Sequence, residues 1–311
     1  MSTTLRQPVS RRLRMPVLRN PRSESWRRRI PLLPALIFTI LLTQVPFVMS
    51  VYYSLSDWHV VPPGPRDFIG LQNYGKLFSD HFFGQAVVVS LELTVFPVLG
   101  ALVLGTAFAL LLDRKFFGQG VVRTLLITPF LLMPVVVGLV WKDQMFHGLY
   151  GVINWVIEKL GGNAVDFVSL HPTLSIAITL IWQWTPFMML IMLAGLQSQP
   201  SDVLEAAKVD GATPFGIFRQ LTLGHLRPYM ELGILLGTVY LIQVYDQIAV
   251  MTGGGPGSTN VPYFVFQRSI GGGWEFGRAS SYSIVVVVAS IVIATIALRV
   301  LSNLLKGEEA A

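Results

Sequence analysis

Apolar residues in this chain neither alternate at a period of two nor form narrow amphipathic stripes. They cluster in long runs where polar side chains are rare, each about 20 residues or more, the length a helix needs to cross the hydrocarbon core of a membrane. Six such stretches lie near residues 30–53, 86–112, 121–141, 172–196, 229–251 and 281–304. The pattern predicts an all-α membrane protein with six transmembrane helices. Pro97 and Pro186 fall inside the second and fourth stretches. Such breaks are tolerated where neighbouring helices or water satisfy the backbone groups that proline frees. The chain thus divides into a basic N-terminal arm over 1–29, a membrane domain over 30–305 and a short tail over 306–311.

Composition narrows the class. Of 311 residues, 52% are hydrophobic and only 13% charged, with a mean hydropathy of +0.59. A soluble domain carries about a quarter charged residues, so a globular enzyme is disfavoured. There is no cysteine, which excludes disulfide scaffolds, thiolate metal sites and cysteine nucleophiles. His59, His81, His147, His171 and His225 show no ligand spacing, and no metal site is expected. The net charge of +6 could suggest nucleic acid, but nine basic residues sit in the first 29 positions, directly before an apolar run. That is a membrane-flanking arm, not a recognition surface. A cleaved signal peptide fits poorly, because the 30–53 stretch is too long and no small-residue cleavage site follows it.

Charge also sets the expected orientation. On the side holding the N-terminal arm, the 113–123 loop, the 197–228 loop and the tail fall seventeen Lys and Arg; the other side holds six. The excess places both termini in the cytoplasm.

The longest cytosolic connection, 197–228, has too much pattern for a linker. Pro200-Ser201-Asp202 supplies a helix start, with Ser201 or Asp202 as the capping side chain. Leu204 to Lys208 are good helix formers. Asp210-Gly211 then ends the helix, with Gly211 free to turn left-handed. A second short helix starts near Pro214. Ala206, Ala207 and Ala212 permit close approach to another protein, and Glu205 offers a charged contact. The same stretch could instead lie on lipid headgroups, and the residues alone leave the two readings level.

The sequence EAAKVDGA at 205–212, followed by Ile217–Leu223 ending in Leu-Thr-Leu and then by Pro228, resembles the "EAA" loop of ABC importer permeases. Glu205, Ala206, Ala207, Asp210, Gly211 and Ala212 match it position by position. The resemblance implies a coupling helix that seats in a groove of a separate ATPase subunit. The family usually reads Leu-Pro-His-Leu-x-Pro where this chain has Leu223-Gly224-His225-Leu226-Arg227-Pro228, so a looser turn is expected at Gly224. FIGLQNYGKLF at 68–78 and MTGGGPGSTN at 251–260 are similar to external segments of the sugar-type permeases. Segments 122–147 and 181–198 most resemble the polyol subgroup that handles mannitol- or sorbitol-like substrates.

What the resemblance implies is a type I ABC importer permease fold in a bacterial inner or plasma membrane. It further implies a second permease, two ATPase subunits that bind the ATP, and an extracytoplasmic solute-binding protein. No cofactor belongs to this chain. Gly253–Gly257 is not followed by Gly-Lys-Ser/Thr, so it is not a phosphate loop. No nucleophile elbow or carboxylate pair is visible, which leaves a membrane enzyme only as a residual reading. An ion-gradient-driven secondary transporter is the main rival; it predicts inverted repeats and ionisable midplane groups, and none is convincing here.

Polar groups deep in a bilayer mark a pathway by default. Trp182, Gln183 and Trp184 lie roughly 15 Å inside the fourth stretch at 1.5 Å per residue. Indole faces can stack on sugar C–H surfaces, and an amide both donates and accepts; helix–helix packing is the alternative for each. Tyr240, Gln243, Asp246 and Gln247 would share an arc of about 120° on a continuous fifth helix. Glu92 is a further embedded acid toward the outer end of the second stretch.

Overall fold

A computed structural model describes residues 30–306; the basic arm (1–29) and the tail beyond 306 lie outside the described residues. The chain divides into two units, 1–49 and 50–311. The first unit contributes most of helix α1 (Leu33–Ser54), which follows a single 3-10 turn.

The second unit opens with a two-residue hairpin, Ser56–Asp57 paired antiparallel with Asp67–Phe68. Buried Asn73 closes it by donating to the carbonyls of Ser54 and Ser56, each at 3.0 Å. Asn73 lies in the first turn of the short helix α2 (Gln72–Phe78). Helix α3 (His81–Leu112) is capped by Asp80, whose carboxylate accepts from the backbone N–H of Phe82 and Phe83. Then follow α4 (Gln119–Leu131), α5 (Pro134–Leu139) with a π-turn over Val140–Met145, α6 (Val152–Lys159), α7 (Phe167–Leu170) and α8 (Pro172–Gln197). The remaining helices are α9 (Ser201–Val209), α10 (Pro214–Ile217), a π-turn over Phe218–Thr222, α11 (Leu223–Leu241), α12 (Asp246–Met251), α13 (Val261–Ser269) and α14 (Phe276–Lys306).

Helices α3 and α8 form the centre of this unit. Buried residues of α3 recur at three- and four-residue spacing, as in Leu93, Pro97, Ala101, Gly105, Ala109 and Leu112, and Val89, Leu93, Val98, Ala101, Leu102 and Ala109 share one core with Ile176, Leu180, Met188, Met189, Met192 and Leu196 of α8. That spacing is a helical face. Both helices continue through their prolines, Pro97 and Pro186, which are buried. Gly105 permits the closest approach: a Cβ there would stand 2.7 Å from Met188 Cβ and from the Met189 backbone nitrogen. A second apolar cluster joins Leu77, Phe83 and Ala86 to Val261, Phe264 and Tyr282. Asp80 ties its polar edge, accepting from Tyr282 Oη at 2.8 Å and from Arg268 at 3.3 Å.

Among the described residues, α1, α3 and α8 are long and apolar enough to cross a membrane. The α4–α5 pair qualifies jointly, bent by 96°. The third predicted stretch is therefore not one straight helix. Proline forces the residue before it out of the helical region, and Met133 ahead of Pro134 is extended, as is Leu132. The fifth stretch also breaks, between Leu241 and Asp246. Asn260, fully buried, repairs that break by donating to the Val244 carbonyl while its own carbonyl accepts from Tyr263 N–H. Helix α14 covers the sixth stretch, its described apolar part running Phe276–Val292.

Candidate functional site

The two broken stretches face each other: α5 packs on α12, where a Cβ on Gly138 would stand 3.6 Å from Gln247 Cα. Gln183, from the middle of α8, reaches both breaks. Its amide donates to the Leu132 carbonyl at 3.3 Å, the group freed where α4 ends, and its carbonyl accepts from Gln247 Nε2 at 2.7 Å. Gln183 is 4% exposed and Gln247 is 3% exposed. In this conformation both amides serve helix packing, because a backbone carbonyl freed in an apolar interior needs a partner.

The aromatic residues separate. Trp184, half-buried, is 5.5 Å from the rings of Phe130, Phe187 and Tyr240. Trp182 stands edge-on to Trp141 at 5.7 Å, on the side of the π-turn. The break at 242–245 also dissolves the common arc expected for Tyr240, Gln243, Asp246 and Gln247. Tyr240 in the last turn of α11 and Gln243 just beyond it are exposed, Asp246 opens α12 half-buried, and Gln247 is buried. The arc assumed a continuous helix, which the sequence pattern could not distinguish from two helices joined end to end.

Two clefts with polar and charged side chains in their walls were not legible in the sequence. One, of about 1370 Å³, lies between the start of α3, the 254–259 turn and α13. His81, Gln85 and Glu92 line it from one face of α3, and His81 and Gln85 are hydrogen-bonded at 3.0 Å. Glu92 therefore faces this cleft. The spacing of those three residues, at i, i+4 and i+11, was the available signal. Gly254 shapes the facing turn: its φ is +64°, and a Cβ there would collide with the Tyr263 ring. The other cleft, of about 780 Å³, is lined by Lys142, Asp143, His147, Asp166, Ser169 and Thr252 among others. Lys142 crosses to α12 and donates to the Val250 carbonyl at 3.0 Å. At its rim, the Asp166 carboxyl is held below the usual carboxylate range by hydrogen bonds from Ser169. Among the described residues no group of three or more His, Asp or Glu is gathered to hold a metal.

The 197–228 connection folds as two pieces. Helix α9 starts after Pro200, whose fixed φ of −62° sets the entry, and no side chain caps it. The expected cap from Ser201 or Asp202 is absent; Ser201 bonds Asp202 instead, at 3.3 Å. The helix ends in a Schellman turn. Ala212 N–H bonds the Ala207 carbonyl at 3.0 Å and Gly211 N–H the Lys208 carbonyl at 3.1 Å, with Gly211 at φ +81°. Glu205, Ala206, Asp210, Gly211 and Ala212 are exposed and Ala207 is half-buried, so all six residues share one projecting helix end. Val203, Val209 and Phe215 are also exposed, Val209 at 87%. The second piece is capped by Thr213, with Pro214 in the first turn, and runs through the π-turn into α11. Gly224 lies inside α11, so no loose turn forms there.

Against this geometry the comparisons are specific. Residues 77–307 match the family described as "Binding-protein-dependent transport system inner membrane component". A probable ABC transporter permease protein of Sinorhizobium fredii is 38% identical over 82% of this chain and 84% of its own length. The trehalose/maltose transport system permease protein of Thermococcus litoralis is 33% identical over 84% of this chain and 90% of its own. In fold, the chain resembles a chain of the bacterial alginate ABC transporter solved with an alginate pentasaccharide-bound periplasmic protein. The TM-score is 0.76 at 19% identity, covering 88% of this chain and 93% of that one. The chain belongs to the binding-protein-dependent transport system inner membrane components, a multi-pass transport subunit of an ABC permease type and not an enzyme.

Proposed function

We propose that this chain is the permease subunit of an ATP-driven sugar importer, spanning the inner membrane six times with both termini in the cytoplasm. The single observation that carries this reading is the projecting end of α9. A helix that buries none of its own side chains, ends in a rigid glycine turn and presents Glu205 and Val209 on one face suits a protein groove. On lipid headgroups it would instead want basic residues flanking its apolar face, and α9 carries only Lys208. Glu205, Ala206, Ala207, Asp210, Gly211 and Ala212 are then the contact with an ATPase subunit. A second permease, two ATPase subunits and an extracytoplasmic binding protein complete the assembly, and ATP stays on the ATPases. The alginate transporter, solved with its loaded periplasmic protein, supports the last partner.

The substrate reading follows the relatives. The Thermococcus protein is named for trehalose and maltose, which favours a neutral disaccharide. The polyol reading rests on the likeness of segments 122–147 and 181–198, and stands second. The path runs along Trp182, Gln183, Trp184, Tyr240, Gln243, Asp246 and Gln247, with Trp184 and Tyr240 as the stacking faces. Opening would part Gln183 from Gln247 and free both amides for hydroxyl groups.

Reconstitution with the ATPase subunits, second permease and binding protein tests the transport reading. Uptake should require ATP; uptake that follows an ion gradient and ignores ATP would favour the secondary-transporter alternative. A thermal-shift panel of the cognate binding protein with trehalose, maltose, mannitol and sorbitol separates the substrate classes.

A further inference from the structure

The connection between α8 and α11 is tied at its base. Ser198 follows the last turn of α8, and its backbone N–H bonds the carbonyls of Ala194 and Gly195. Its hydroxyl lies 2.8 Å from the Gly195 carbonyl, 2.9 Å from His225 Nε2 and 2.8 Å from Tyr229 Oη. A serine hydroxyl has one proton and two lone pairs. All three contacts are satisfied together in one arrangement only: Ser198 donates to Gly195 and accepts from both His225 and Tyr229. The network thereby assigns a proton to His225 Nε2.

The two helices also pack closely at this level. A Cβ on Gly195 would stand 2.7 Å from Leu226 Cδ2 and 2.8 Å from the Tyr229 ring. Leu226 is fully buried. Beyond this base, α9 buries no side chain. Force applied at α9 reaches the long helices through its two chain ends, and those ends are joined by the hydrogen bonds of Ser198, His225 and Tyr229 beside the packing of Gly195 on Leu226.

We propose that Ser198, His225 and Tyr229 are positioning residues, a hydrogen-bonded clamp that makes the ends of α8 and α11 move as one body when a partner displaces α9. The inference rests on the ATPase-docking reading above. With the clamp intact, a displacement of α9 turns both helices together. With it broken, the same displacement bends the connection and leaves the path unmoved.

The chain has no native cysteine, so spin labels can be placed on it singly or in pairs before the importer is assembled. A label at Val209→Cys tests docking by itself: adding the ATPase subunits immobilises it. If it stays mobile, the docking reading fails, whatever the clamp does. A second label at Leu174→Cys, an exposed site in the first turn of α8, reports on the clamp. In the otherwise wild-type importer the 174–209 separation stays narrow and unchanged when ATP and vanadate are added. In Tyr229→Phe and in His225→Ala it broadens or shifts with nucleotide. Losing one such bond corresponds to about a fivefold change in an equilibrium, and the ATP hydrolysed per trehalose taken up should rise by about that factor. His225→Gln, which keeps an N–H donor at the Nε2 position, restores both readouts. Should Tyr229→Phe and His225→Ala keep the narrow separation while the Val209 label is immobilised, the clamp is overturned and docking survives. Failure of His225→Gln to restore what His225→Ala loses would overturn the hydrogen-bonded assignment in favour of ring packing. Tyr229→Phe removes a single oxygen and carries the test if His225→Ala lowers assembly.

Discussion

Helix α9 and the middle of α8 hold polar residues for opposite reasons. On α9, Glu205, Lys208 and Asp210 are exposed and leave their surroundings free. In α8, Gln183 is buried, its amide and its carbonyl each used, joining two broken helices. One polar stretch is open to solvent, where we propose that a partner docks; the other has its partners inside the chain. Burial thus separates a surface for docking from a joint within the fold, although both read in sequence as polar residues in unusual places.

The most forceful way to break this comparison is to add volume on each side. Gly105→Leu drives a side chain into the Met188–Met189 backbone and should cost about 3 kcal/mol or more. Detergent-extracted protein should lose its monodisperse peak on size exclusion. Ala206→Leu, on exposed α9, should leave that peak unchanged and act only on uptake. Next in size is the stop of α9. Gly211→Pro imposes a φ near −65° where the chain takes +81° and removes the N–H that bonds Lys208. Uptake should fall by about tenfold or more, with yield unaffected, if the projecting helix end couples ATP to transport.

A smaller effect sharpens the inner half of the comparison. Gln183→Leu leaves Gln247 Nε2 and the Leu132 carbonyl unpaired and should lower stability by about 1–3 kcal/mol. Because removing both partners of a buried bond is milder than removing one, Gln183→Leu with Gln247→Leu should recover part of that loss in a thermal melt. If uptake stays low in the double variant while stability returns, the amides serve the path as well as the packing. The smallest effect is at the rim of the second cleft. The carboxyl of Asp166 titrates below the ordinary range, so its cap on α7 contributes stability above the unfolded carboxylate pKa and loses it as pH falls through the folded value. Hydrogen exchange at Ser169 N–H should quicken relative to controls on acidification, and Asp166→Asn should remove most of that pH dependence.

Much of the fold was legible because local chemistry dictates it. Hydrophobic runs placed α1, α3 and α8, and Asp210-Gly211 located the end of α9, since a left-handed residue after a helix is a local matter of glycine. Where the sequence reading failed, the deciding contact came from far along the chain. Pro134 broke the third stretch by a local rule, yet the freed Leu132 carbonyl is held by Gln183, 51 residues away. The break before Asp246 is repaired by Asn260, and the Gly224 position was absorbed into α11 by the neighbouring turns.

By itself the sequence determined that this is a helical membrane chain, where its apolar helices run, and that one short helix with a glycine stop projects between two of them. Only the tertiary structure decided that the fifth stretch is interrupted, that Gln183 and Gln247 are bound to each other, and that Ser198, His225 and Tyr229 close the base of the projecting segment. The physical reason is distance along the chain. Helix propensity and glycine conformation act over a few residues, whereas a buried polar group takes whatever partner the packing of remote helices brings within hydrogen-bond reach.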